Sequence, residues 1–90
     1  MKKAVISVVG KDKVGIIYKV CEYLAQNNIN ILDIAQTIGQ DWFNMMMIVN
    51  IKDASKDFGA IVSELKQIGD DIGVTITIQQ EEIFDMMHQL

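Results

Sequence analysis

Ninety residues carry eight Lys and no Arg against twelve Asp and Glu, a formal net charge of -4, and half of them are hydrophobic. That is one small domain, too apolar for a disordered tail and too acidic, with no arginine fork, for nucleic acid as its main ligand. A single cysteine, Cys21, excludes an internal disulfide and leaves no cysteine pair for a metal.

The N-terminal stretch MKKAVISVVG begins like a signal peptide, but its apolar run stops at Gly10-Lys11-Asp12-Lys13, too soon for a cleavable leader. No apolar stretch approaches the roughly 20 residues that span a bilayer. The expected location is the cytoplasm. Ala4 to Val9, short, apolar and β-branched, predicts a strand ending at Gly10. From Val14 the period becomes helical, with Ile16, Ile17, Val20, Cys21, Leu24 and Ala25 on one side and Lys19, Glu22 and Gln26 on the other. Asn27-Asn28 ends this helix, because Asn tolerates the left-handed conformation. Ile29 to Ile38 and Trp42 to Ile51 read as strands joined by the turn Gly39-Gln40-Asp41. Ser55 is the expected N-cap of a second helix, with Asp57 in its first turn. Phe58, Ile61, Val62, Leu65 and Ile68 form its stripe, Gly69 or Gly73 its end, and Val74, Ile76 and Ile78 a final strand. Glu81 to Leu90 has the spacing of a short helix, with Ile83, Phe84, Met87 and Leu90 on one side.

The order β-α-β-β-α-β implies an α+β ferredoxin-like sandwich: one four-stranded antiparallel sheet, two helices on one face, and a short C-terminal helical extension. Residues 1–80 form the domain and 81–90 the tail. In the third strand, Phe43, Met45, Met47, Val49 and Ile51 share one parity and should face the helices. The other parity, Trp42, Asn44, Met46, Ile48 and Asn50, is too apolar for a freely solvated face. The second strand alternates poorly, as expected for an edge that bulges or pairs with another chain. This predicts a homodimer extending the sheet through the edge at 29–38.

The segments AVISVVG, GKDKVGI, NNINILDIAQT and WFNMMMIVNI together resemble an ACT domain, and more narrowly the small stand-alone ACT proteins related to the repeats of the glycine cleavage system transcriptional repressor. The resemblance spans residues 3 to 80. It implies a regulatory module that binds an amino acid or similar small molecule between the first β-α turn of one subunit and the second strand of its neighbour. By that resemblance Gly15 matches the glycine at the start of the first helix, Asp12 the turn position that contacts a ligand amine, and Asn30 the polar position across the interface. The chemistry is compatible. N–H groups around Val14, Gly15 and Ile16 at a helix start suit a carboxylate, Asp12 accepts from an ammonium, and Asn30 donates and accepts at once. Lys11 and Lys13 in the turn add an affinity for other anions, and Asp33 adds a second carboxylate near the interface.

Each of these residues also has a plainer role. Asp12 is equally a helix cap, and Asn30 a helix-exit residue beside Asn27 and Asn28. Met45, Met46 and Met47 alternate faces on a strand and cannot converge on a soft metal, which leaves them as adaptable packing. Cys21 on an apolar stripe reads as an inert thiol, His88 as a surface residue, and Trp42 as an interface anchor. No catalytic arrangement or cofactor motif is present, and Asp12 with Asp33 is a conceivable acid–base pair for which nothing in the sequence supplies a substrate pocket; the chain reads as non-enzymatic. The partners expected are a second copy, an amino-acid ligand, and a regulated enzyme or transcription regulator, without nucleic acid or membrane. A competing reading is a ligand-free interaction module that docks through the open sheet face and the tail; an RNA-binding sheet lacks the basic charge and the aromatic signature.

Overall fold

In the computed structural model of the chain, the described residues are 1–11, 14–39 and 42–81. Strands β1 (Lys3–Lys11), β2 (Asn30–Gly39), β3 (Trp42–Asn50) and β4 (Val74–Gln80) and helices α1 (Ile16–Gln26) and α2 (Phe58–Ile72) follow the order β1-α1-β2-β3-α2-β4. The sheet order is β2-β3-β1-β4, every pair antiparallel. The expected C-terminal helix lies beyond residue 81, outside the described residues.

Position in the sheet explains composition. β1 and β3 are central, and both helices lie on the face bearing Ala4, Ile6, Val8, Met45, Met47 and Val49, all at 1% exposure or less. Met46, between two buried methionines, points the other way and is 40% exposed, as strand parity requires. Trp42 is on that same far face and 53% exposed. β2 is an edge strand, and its register shifts between Ile31 and Asp33, so the blurred alternation of its sequence marks a bulge at Leu32.

Several boundaries differ from the sequence reading, each for a local reason. α1 begins at Ile16, because Gly15 at φ 93° is its N-cap. Its inward stripe is Ile16, Val20, Tyr23 and Leu24, while Ile17 and Ala25 are exposed; Tyr23 displaces them because its ring is buried while its hydroxyl reaches a polar partner. α2 is capped by Asp57, whose carboxylate accepts the Ala60 N–H at 2.8 Å, rather than by Ser55. Its C-cap is Gly73, left-handed at φ 81°, and Gly69 lies inside the helix.

Gly69 sets the height of α2 above the sheet. A Cβ there would stand 2.6 Å from the Val74 carbonyl oxygen and 3.2 Å from the Ile76 nitrogen, both backbone atoms of β4. α1 is then tied to α2 and to the loop before it. The Tyr23 hydroxyl donates to Glu64 at 2.7 Å, and Lys56 Nζ lies 2.7 and 2.8 Å from the two oxygens of that carboxylate. Lys56 and then Tyr23 hold the Glu64 carboxyl below its ordinary range, whereas burial and then the Glu64 contact push the Tyr23 phenol far above its own.

Two outcomes follow. Ala in a helix interior normally stabilises relative to Gly by about 1 kcal/mol, but Gly69→Ala is expected to destabilise by about 1–3 kcal/mol because α2 must lift from β4; urea unfolding measures the sign. Glu64, lowered in the fold, contributes stability above the ordinary carboxylate range that is lost as pH falls through its lowered value. Tyr23, raised in the fold, contributes stability that is full below about pH 10, where the unfolded phenol ionises, and is lost above it. Glu64→Gln should flatten the acid limb of the urea midpoint against pH, and Tyr23→Phe the alkaline limb; loss of the Tyr23 hydroxyl alone costs about 1 kcal/mol near neutrality.

Candidate functional site

The turn that carries the expected ligand residues ends at Gly15. With φ 93° and no protein atom within 4 Å of where a Cβ would stand, Gly15 is required by its backbone conformation and not by crowding. The first helical bond runs from the Lys19 N–H to the Gly15 carbonyl at 2.9 Å, so the N–H groups of Ile16, Ile17 and Tyr18 precede the helical ladder. No acidic side chain occupies the first turn of α1. Ile16 buries its side chain at 2% exposure and can offer a ligand only its backbone, while Val14 is fully exposed. Asp12 and Lys13 lie outside the described residues. The N-cap position of α1 is Gly15.

The helix exit is a separate device. Asn27, 6% exposed, donates from Nδ2 to the Tyr23 carbonyl at 2.9 Å, and Asn28, at φ 58°, donates to the Asp53 carbonyl at 3.0 Å. These two make the turn, so Asn30 is not a turn residue; it opens β2, exposed, beside a shallow groove of about 460 Å³ between α1 and β2. Cys21, Leu24 and Ala25 form its helix wall, Asn28 in the turn its end, and Asn30 and Ile31 its strand wall. Periodicity alone hid this groove, because it assigned Cys21 and Ala25 to the core; Cys21 is in fact half-buried.

Within one chain the expected residues do not meet. Asn30 pairs with Asn50, which lies opposite Lys3 at the beginning of β1, whereas the turn follows Lys11 at the far end. Eight residues of strand separate the two levels, roughly 27 Å. Asp33 is likewise far from its own turn. Its Oδ1 accepts the Ile34 N–H at 2.9 Å. From Leu32 to Thr37 every residue of β2 is exposed on both faces, including Ile34, 45% exposed on the helix side. Among the described residues no group of three His, Cys, Asp or Glu could hold a metal ion, and no helix is long and apolar enough to cross a membrane.

The fold matches known proteins. Residues 2–79 match the family model described as ACT domain. The chain belongs to the ACT domain family. It is 60% identical over 90 residues to a UPF0237 protein of Bifidobacterium longum, covering all of both chains. An ACT domain protein from Streptococcus pneumoniae superposes with a TM-score of 0.80 at 40% identity, over 93% of this chain and 94% of that one. The fold also recurs in a protein proposed as a glycine cleavage system transcriptional repressor, at 20% identity and TM-score 0.74, over 88% of this chain and 45% of that one.

Gly15→Ala places a side chain in a left-handed backbone position. It is expected to cost about 1–2 kcal/mol of stability with no steric clash, and urea unfolding together with the helical circular dichroism signal checks it.

Proposed function

We propose that this ACT domain is a non-catalytic cytoplasmic sensor that acts as a homodimer: residues 1–80 bind an amino acid or a similar small zwitterion between the β1–α1 turn of one copy and the start of β2 in the other, and the occupied dimer modulates a partner enzyme or transcription regulator. The observation that carries the reading is the separation of the two half-sites. Gly15, with the leading N–H groups of α1, and Asn30 lie at opposite ends of the sheet within one chain, so a ligand touching both must bridge two copies. An antiparallel second copy along β2 brings the turn end of the partner toward Asn30.

The assigned chemistry is short. The N–H groups at the start of α1 take the carboxylate, aided by the helix dipole; Asp12 takes the ammonium; the Asn30 amide supplies a donor and an acceptor. Lys13 and Asp33 tune the charge around them, and Val14 and Ile16 contribute backbone. With no arginine in the chain, the carboxylate is held by backbone dipoles, which suits weak binding of an abundant metabolite.

A second reading has one observation in its favour: Trp42 and Met46, 53% and 40% exposed on the face away from the helices, would suit docking of a protein partner. Deleting residues 81–90 separates the two, since ligand response survives in a sensor and partner capture is lost from a docking module.

The decisive experiment is a thermal-shift screen of the common amino acids at millimolar concentration, with light scattering on the same samples. At 100 times its Kd a ligand adds about 2.7 kcal/mol, a clear rise in melting temperature, and Asn30→Ala should remove that response without monomerising the protein. A monomer at micromolar concentration, or a dimer indifferent to every amino acid, rejects the sensor.

A further inference from the structure

The face of the sheet turned away from the helices is unevenly covered. Three cross-strand rows run over it: Val5 between Ile48 and Gln79, Ser7 between Met46 and Thr77, and Val9 between Asn44 and Thr75. Val5 and Val9 are the same residue type on the same face of the same central strand. Val5 is nonetheless buried, at 5% exposure, with Ile48 and Gln79 half-buried beside it. Val9 is only half-buried, and Asn44, Thr75, Met46 and Thr77 are exposed. Cover on this face is therefore confined to the end where β1 begins and β4 stops.

That end is also where the chain leaves the sheet. β4 stops at Gln80 and the backbone is helical at Glu81, with no linker between them. Glu81 is half-buried, and its Oε2 lies 4.0 Å from the Nζ of Lys3, which shares the far face of β1 with Val5. Residues 82–90 lie outside the described residues. Their sequence puts Ile83, Phe84, Met87 and Leu90 on one side of a helix and Glu82, Asp85 and Gln89 on the other.

We propose that residues 82–90 continue the helix entered at Glu81 and fold back across the far face of their own sheet, with Ile83, Phe84 and Met87 closing over Val5 and Ile48. The dimensions both permit and limit this. Nine helical residues extend about 13 Å, whereas β3 lies two strand spacings from β4, about 10 Å. The tail reaches across β1 to Ile48. Trp42, six residues further along β3 and about 20 Å away, stays open. The occupant is the tail of the same chain because the strand passes directly into the helix beside Val5, held there by Lys3, and has no linker with which to reach a second copy. Glu81 and Glu82 fall in the first turn, where the helix dipole favours carboxylates. The tail in this way gives the sheet a second apolar layer, and the surface left for a protein partner shrinks to the Trp42 end. None of this depends on the homodimer or its ligand.

Thiol accessibility in the full chain, in a Cys21→Ser background, tests the proposal. Val5→Cys and Val9→Cys place thiols at matched positions on one strand. Val5→Cys should react with an aqueous disulfide reagent at least about tenfold more slowly than Val9→Cys. Adding Phe84→Asp, whose carboxylate resists burial against Val5, should speed Val5→Cys at least about tenfold and leave Val9→Cys within about twofold. Unchanged Val5→Cys reactivity, or an equal rise at Val9→Cys, overturns the cover. The unmodified protein gives a second measurement that no substitution can unfold. Nuclear magnetic resonance should show methyl cross-peaks from Ile83 or Met87 to Val5 or Ile48, and their absence overturns the proposal. Mixing differently labelled chains identifies the source: cross-peaks confined to one chain support it, and cross-peaks between chains, a tail exchanged with a second copy, overturn it.

Discussion

The close approach of α2 to β4 governs the rest of the molecule. Gly69 lets the helix backbone rest against the Val74 carbonyl and the Ile76 amide, and no other residue would leave room for that contact. α1 follows α2 because Tyr23, Glu64 and Lys56 join the first helix to the second and to the loop before it. The helical layer is in this way anchored on the β4 side of the sheet. β2, at the opposite edge, keeps Ile34 and its neighbours in water on both faces. In a single small domain that exposure is a liability, since an unpaired edge invites pairing of any kind. The Leu32 bulge and the Asp33 side chain restrict what can pair there.

That arrangement also divides the chemistry. A helix start whose leading N–H groups precede the helical ladder and a polar strand start are both present, but at opposite ends of one sheet. Within one chain they are two fragments with no common ligand. In the proposed homodimer, two chains joined antiparallel would make two equivalent sites, each drawing on the backbone geometry of Gly15 in one copy and the exposed Asn30 of the other.

Most of the fold was legible in the amino-acid order because the period changes cleanly between elements. The odd parity of β3 is apolar without exception and is buried without exception. The failures were local. Helical periodicity places residues only to within a third of a turn, so it could not choose between Ile17 and Tyr23 for the inward face of α1; the partner that decides it, Glu64, lies 41 residues away. Ser55 and Asp57 both have capping side chains, and only the geometry of the loop selects Asp57. Of the candidate site, the resemblance placed Gly15 at the start of the first helix and Asn30 early in the second strand, and both stand there. The groove between α1 and β2 was not, nor was the capture of the Ile34 N–H by Asp33, because alternation along a strand shows which face a side chain takes and not which edge a backbone group faces.

Where two half-sites lie on different chains, ligand binding and association become one equilibrium. A molecule that touches the start of α1 in one copy and Asn30 in the other binds only the dimer, so its binding free energy adds to that of the β2 pairing, and by linkage the dimer must bind it more tightly than the monomer by the same factor. A pairing of a few backbone bonds between exposed strands would be weak alone, since each contributes about 1 kcal/mol net and association carries a cost of about 4 kcal/mol or more. Weakness is what makes the edge useful. An interface stable without help would be insensitive to any ligand, whereas one near balance converts a modest affinity for a metabolite into a large change in the fraction of paired chains.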